Sequence, residues 1–262
     1  MIDVQNVSKQ YHLSNKQKKE LQTNDTSVFA VNKVSLTCKP GRVFSLLGAN
    51  GAGKTTTLRM ISTILKPTEG DIIVGGEGVL QHPEKVRSKI GFLTGSTNLS
   101  DRLTPGEIVK YFADLHGMDK QKFEHRKQLL FDQLNINEFS KKRISQLSTG
   151  MKQKVSIARS MIHDPAIVIF DEPTSGLDVI TAHSIIELIK ECRQEGKTII
   201  FSSHIMSEVD LLCDDLAIIS KGKLIYNNTM ANFRSEFSHQ SLTEAFIEIV
   251  NTSTNPATAH QA

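Results

Sequence analysis

Cysteine, charge imbalance and long apolar runs are all scarce in this chain, and each scarcity excludes something. Cys38, Cys192 and Cys213 are the only cysteines among 262 residues. Their number is odd and no pair shows C-x-x-C spacing, so neither a disulfide framework nor a cysteine zinc site is expected, and a reducing compartment fits. Basic residues number 31 against 28 acidic ones, a formal charge of +3 spread along the chain, which gives nucleic-acid binding no electrostatic support. No apolar stretch approaches the roughly 18 residues needed for a membrane span, and the opening MIDVQNVSKQYHL lacks the basic flank and apolar run of a signal peptide. Any work at a membrane therefore requires a partner. No repeat of fixed period occurs, which sets solenoids and propellers aside.

What is present is a 39% hydrophobic composition, enough to bury the core of one large domain or of a domain with a lobe. Short runs rich in valine, isoleucine and phenylalanine read as strands: 43–47, 71–74, 166–170, 198–201 and 216–219. Several are apolar throughout, as strands covered on both faces are. Helical periodicity separates them. Met151, Val155, Ala158 and Ile162 recur three or four residues apart, and the segment 182–192 stops before Gly196 in the usual C-cap position. Strands alternating with helices imply an α/β fold with a largely parallel sheet. From about residue 95 to 143 the rhythm breaks into helical segments without a strand, opening at Thr104-Pro105-Gly106-Glu107 with a capping-box signature; this is expected to be a helical lobe. The lysine-rich stretch 14–27 is expected to be a mobile loop, 218–226 a hairpin turning at Lys221-Gly222, 242–250 a terminal helix, and the polar tail from Asn251 a frayed end.

Two segments carry chemistry. Gly48-Ala49-Asn50-Gly51-Ala52-Gly53-Lys54-Thr55 satisfies the phosphate-binding loop pattern in full, follows the strand VFSLL and precedes a helix expected to present Leu58, Ile61 and Leu65 on one face. Glycines let successive N–H groups turn toward phosphate oxygens at the positive end of the helix. Lys54 is suited to the β- and γ-phosphates, and the Thr55 hydroxyl to Mg²⁺. The second segment, Ala166 to Phe170, ends in Asp171 and Glu172, at the carboxyl end of a parallel sheet beside the phosphate loop, where ligands collect. Neighbouring strand residues point to opposite sides, so Asp171 is assigned to Mg²⁺ and Glu172 to general-base activation of water.

Leu147-Ser148-Thr149-Gly150-Met151 begins the helix that runs to Ile162, a second helix start able to hold an anion. Here the sequence resembles the ATP-binding-cassette family, whose LSGGQ signature reads LSTGM. The resemblance implies a P-loop NTPase fold of the ABC ATPase type, with a mainly parallel core sheet, an N-terminal antiparallel β subdomain and a helical subdomain inserted at about 95–163. The ATPase domain would span 1–225, with a C-terminal helix and polar tail over 226–262. It implies that ATP is held by Asn50, Gly51, Ala52, Gly53, Lys54, Thr55 and Thr56, with Tyr11 stacking on adenine. Asp178 resembles the D-loop aspartate and His204 the switch histidine at the γ-phosphate. Ser148 and Gly150 of one subunit would close on the ATP of the other, so the partner is a second copy or a paralogue, and a monomer would be nearly inactive. An integral membrane permease is the further partner implied, which would place the chain in the cytoplasm at the inner face of the membrane.

Three positions depart from the family. Gly95 stands where most members have glutamine, and Thr149 and Met151 replace glycine and glutamine of the signature. The segments FLTGSTNLSDRLTPGE and LSTGMKQKVSIAR resemble the ATPase subunits of bacterial sodium-efflux exporters, a resemblance that implies sodium export; another exported solute (drug, lipid or polysaccharide) is the alternative. A cassette protein of translation, DNA repair or chromosome maintenance would carry a second cassette, coiled coils or zinc insertions, none of which is visible in the sequence. A regulatory module that binds ATP without hydrolysing it conflicts with Glu172. Permease contact is expected around 92–103 and the start of the lobe, including Leu99 and Phe112, although the Phe112–Leu115 spacing also suits packing within the lobe.

Overall fold

The computed structural model describes residues 1–20, 22–94 and 99–254. The chain opens with β1 (Ile2–His12), α1 (Asn15–Glu20) and β2 (Ser27–Cys38), then β3 (Val43–Leu47) and α2 (Lys54–Ile61). Next come β4 (Glu69–Val74), β5 (Glu77–Gly78), α3 (Pro83–Lys89) and β6 (Ile90–Leu93). Helices α4 (Pro105–Leu115), α5 (Lys120–Gln133) and α6 (Thr149–Met161) follow, and the chain re-enters the core as β7 (Ile167–Asp171), α7 (Val179–Gln194) and β8 (Thr198–Ser203). It closes with α8 (Met206–Leu212), β9 (Asp215–Ser220), β10 (Lys223–Thr229), α9 (Met230–Glu236) and α10 (Leu242–Thr254).

Two sheets result. One is antiparallel in the order β2-β1-β4-β5, and the other runs β10-β9-β3-β8-β7-β6, parallel except at the β9–β10 hairpin. Strands β3, β7 and β8 are buried at every position, which explains their mainly apolar character, broken by Ser45, Thr198 and the polar ends Asp171, Ser202 and Ser203. Alternation assigns their side chains to two cores. Val43, Leu47, Val168 and Phe170 face the lobe and C-terminal helices, whereas Phe44, Leu46, Ile167 and Ile169 face α2 and the antiparallel sheet. Phe44, Phe170 and Phe201 are fully enclosed, each such burial contributing about 1.5–3 kcal/mol.

Register then sets the site. Leu47 lies opposite Ser203 and Asp171 opposite Ser202, so the carboxyl ends of β3, β7 and β8 arrive together. The residues that follow them are Gly48, Glu172 and His204.

The described part of the lobe, from Leu99 on, contains helices and no strand, and α4 carries the expected capping box at Thr104 and Glu107. Several expectations need correction. The stretch 14–27 is not simply a loop, because it contains α1 and is closed by the Leu13 N–H donating to the Thr26 carbonyl. Helix α2 ends earlier than its apolar spacing suggests, since Thr63 takes a left-handed φ of 63°, leaving Leu65 beyond it but still against the core. The terminal helix continues through Asn251 to Thr254 in place of a frayed end, and the rest of that tail lies outside the described residues.

Candidate functional site

The loop after β3 is shaped by two glycine positions. Gly53 has φ of 112°, and a Cβ there would stand 2.5 Å from the Ala30 carbonyl oxygen of β2. Gly48 has no room either, with the Ile219 backbone and the Ala52 side chain against it. The β9–β10 turn braces the loop from outside: the Gly222 N–H donates to the Ala52 carbonyl at 2.8 Å, and the Asn32 N–H donates to the Gly222 carbonyl at 2.8 Å. Gly53 caps α2 without a side-chain acceptor, so the first-turn N–H groups face a cavity of about 150 Å³ lined by Ala30, residues 49–56 and Glu172. Such a helix start attracts an anion by its dipole and its donors together.

Charged groups converge on this cradle. The buried Lys54 Nζ donates to the Gly48 carbonyl at 2.7 Å and the Ala49 carbonyl at 3.2 Å, and lies 3.4 Å from Glu172 Oε1. The other Glu172 oxygen stands 3.4 Å from His204 Nδ1. Behind them the Thr55 hydroxyl donates to Asp171 Oδ1 at 3.0 Å, an oxygen-only donor pair. The Ser202 hydroxyl donates to that same oxygen at 2.7 Å.

Glu172 has a left-handed φ of 50°, a conformation costing a non-glycine residue roughly 1–2 kcal/mol. Its backbone N–H is held in compensation by both the Ser202 carbonyl and the Ser202 Oγ, each at 3.1 Å. One serine thus orients both acids: Asp171, the last residue of β7, turns to Thr55, and Glu172, just past the strand in its left-handed conformation, turns to Lys54 and His204, so the turn and not strand alternation separates them.

The other expected residues gather elsewhere. Ser148 caps α6, its Oγ accepting from the Met151 N–H at 3.3 Å. Asp178 caps α7, accepting from the Thr181 N–H at 2.9 Å and the Thr181 hydroxyl at 2.8 Å. The backbone bond from Thr181, followed by the hydroxyl bond, holds this carboxyl below its ordinary range. The two helix starts touch, since a Cβ on Gly150 would lie 3.0 Å from Thr181 Oγ1 and 3.5 Å from Asp178 Oδ2. None of Ser148, Gly150 and Asp178 lines the phosphate cradle. Tyr11 also stays outside it, half-exposed opposite Val28, with the Lys9 ammonium 5.4 Å from its ring centre. Gly95 lies outside the described residues.

Sequence reasoning missed Ala30, Gly222, Ser202 and Ser203. Ala30 acts through its carbonyl and leaves no side-chain signal, and Gly222 was legible only as a turn, not as a brace of the phosphate loop. The serine pair was visible at the end of β8 just before His204, but nothing in its spacing revealed its partners.

A family model described as ABC transporter matches residues 31–175. The ABC transporter ATP-binding protein NatA of Bacillus subtilis is 42% identical over 84% of this chain and 90% of its own length. The Nod factor export ATP-binding protein I of Cupriavidus metallidurans is 34% identical over 74% of this chain and 64% of its own. Among solved structures, a dimeric ATP-binding cassette in a post-hydrolysis state, bound to ADP and Pi, superposes with a TM-score of 0.77 at 26% identity, covering 88% of this chain and 99% of that one. A phosphate loop after β3, a second capped helix start at Ser148 and an acid pair at the end of β7 accompany these matches: the chain belongs to the ATP-binding-cassette family as an ABC transporter ATP-binding subunit, and it is an ATPase.

Proposed function

We propose that two copies of this chain, or this chain and a paralogue, bind two ATP molecules between them and hydrolyse them to power export through a separate permease at the cytoplasmic face of a membrane. The observation that carries this reading is the division of the predicted residues into two groups. Lys54, Thr55, Asp171, Glu172 and His204 surround the cradle, while Ser148, Gly150 and Asp178 form a corner with no cradle of its own. A helix start lying outside the cradle suits the phosphates held by a second subunit. Support also comes from Val179 and Ile180, 85% and 80% exposed directly after Asp178, an apolar pair that a monomer leaves in water.

In the cradle, Lys54 and the α2 N–H groups bind and orient the phosphates. Glu172 accepts a proton from the attacking water, and His204, beside Glu172, is placed to donate to the γ-phosphate. The Thr55 hydroxyl and Asp171 carboxylate fit Mg²⁺, which favours oxygen donors and neutralises phosphate charge when bound. Tyr11 stays available for adenine stacking. The expected measurement is ATP turnover in the presence of Mg²⁺ across protein concentration: activity per subunit should climb as dimers form, and a flat profile would overturn the shared site.

For the permease, the proposed contact keeps Phe92 of the expected 92–103 surface and adds exposed residues of α4, while 95–98 lie outside the described residues. Leu99 and Phe112 pack against the core, and the Phe112 ring also lies 5.3 Å from the Arg159 guanidinium. Leu115 and Tyr111 are instead 64% and 57% exposed, and Leu115 borders a groove of about 440 Å³ with Ile64, Phe92, Arg87 and Glu84. An apolar floor with a charged rim suits a short helix of a membrane partner. Leu115→Glu should release the chain from the membrane fraction of its cells while the purified chain keeps its ATP turnover; persistent membrane association would refute this placement. Sodium is the cargo implied by the resemblance of 92–107 and 147–159, whereas the Nod factor and linearmycin-resistance relatives carry other names on the same cassette.

A further inference from the structure

We propose that Glu208 is a positioning residue for hydrolysis, acting through the Ser203 hydroxyl to fix the turn that carries His204; the inference rests on the hydrolytic reading above. Strand β8 ends in two serines whose side chains diverge. Ser202 serves Asp171 and Glu172, whereas Ser203 turns to the other face, where its hydroxyl donates to Glu208 Oε2 at 3.1 Å and accepts from the Ile205 N–H at 3.0 Å. Both members are buried, Ser203 at 2% exposure and Glu208 at 8%.

Burying a carboxylate is costly unless it is hydrogen-bonded, so its location calls for a task. A hydroxyl carries one proton, and its lone pairs face the Ile205 N–H only when that proton is directed elsewhere. Glu208 supplies the acceptor that directs it. The same turn is held from below, because the Glu208 and Val209 N–H groups donate to the Ile205 carbonyl at 3.2 and 3.4 Å. Ile205 is therefore gripped at both its N–H and its carbonyl. His204, directly before it, has a half-exposed side chain and takes its direction from this backbone. Its Nδ1 stands 3.4 Å from Glu172 Oε2; a small rotation of the turn would separate the two, and displacements of this kind cost turnover far more than binding.

A simpler role also exists, since Glu208 lies in the first turn of α8, where its negative charge complements the helix dipole. Glutamine distinguishes the two. It removes the charge but keeps an oxygen for the Ser203 hydroxyl.

The experiment compares kcat and KM for ATP, with melting temperature, in wild type, Glu208→Ala, Glu208→Gln, Ser203→Ala and the Glu208→Ala/Ser203→Ala double variant. Glu208→Ala is expected to lower kcat roughly ten- to hundredfold with little change in KM. Glu208→Gln should recover most of that loss. Ser203→Ala should reproduce it, and the double variant should fall no lower than the worse single one, as expected for residues on one path. Equal loss in the alanine and glutamine variants, additive losses, or a lowered melting temperature with unchanged kcat would overturn the proposal. If Glu208→Ala does not fold, Ser203→Ala with wild-type kcat overturns it equally. A wild-type chain without turnover would defeat the hydrolytic reading itself, whereas wild-type turnover with unaffected variants defeats only this inference.

Discussion

Glu172→Gln should reduce ATP turnover by about 10²–10⁴-fold while ATP still binds, the range general-base catalysis ordinarily supplies. The substitution is nearly isosteric and leaves the main chain alone, so the left-handed backbone at 172 and the two bonds its N–H donates to Ser202 persist. Lys54 keeps its bonds to the Gly48 and Ala49 carbonyls and its place in the cradle. What disappears is the proton acceptor midway between Lys54 and His204, each 3.4 Å from one carboxylate oxygen. The loss should therefore fall on kcat and spare KM, because only the transition state uses the basic oxygen. In the two-subunit site proposed above, the γ-phosphate joins the cradle of one subunit to the corner of the other, so the variant should also accumulate as an ATP-bound dimer on size-exclusion chromatography. Turnover close to wild type would remove Glu172 from the mechanism and point to another base.

Legibility in the sequence followed the way each element is stabilised. Strands β3, β7 and β8 announced themselves because both faces are covered, which forces apolar residues at successive positions. Strand β1 was harder: its pairing shifts register near Val4, Val7 and Lys9, and Asn6 takes a positive φ, so simple alternation fails. Helix α1 is built from Asn, Lys, Gln and Glu and offers no apolar period at all. The acid pair and phosphate loop were readable because their chemistry demands particular side chains at fixed spacing. Their supports were not: the Ala30 carbonyl can be supplied by many residue types, and Gly222, whose φ of 77° and closeness to the Ala30 backbone require glycine, reads in the sequence only as a turn. On α4 the period was correct but the facing was ambiguous: Phe112 and Leu115 share a helical spacing, and only the fold shows that the first packs while the second is exposed.

Mixing two inactive variants should restore activity if the site is shared. A Lys54→Ala chain lacks the buried ammonium of the cradle but keeps the Ser148 corner, whereas a Ser148→Arg chain loses that corner and keeps the cradle. Each alone forms only defective sites. In a mixed two-fold dimer one site is doubly defective and the other joins an intact cradle to an intact corner, so random pairing would leave about a quarter of all sites whole. Arginine at 148 places a bulky side chain at the helix start, while Gly150, already close to Thr181 and Asp178, keeps the corner from opening to admit it. Activity should therefore reappear on mixing, approaching a quarter of wild type, and should vanish again when Glu172→Gln is added to the Ser148→Arg chain, whose cradle is the intact one. If the mixture stays inactive although mixed dimers form, or if Ser148→Arg alone turns over normally, the corner is not part of an opposing site. In that event the exposed Val179 and Ile180 beside it would have to serve some other contact.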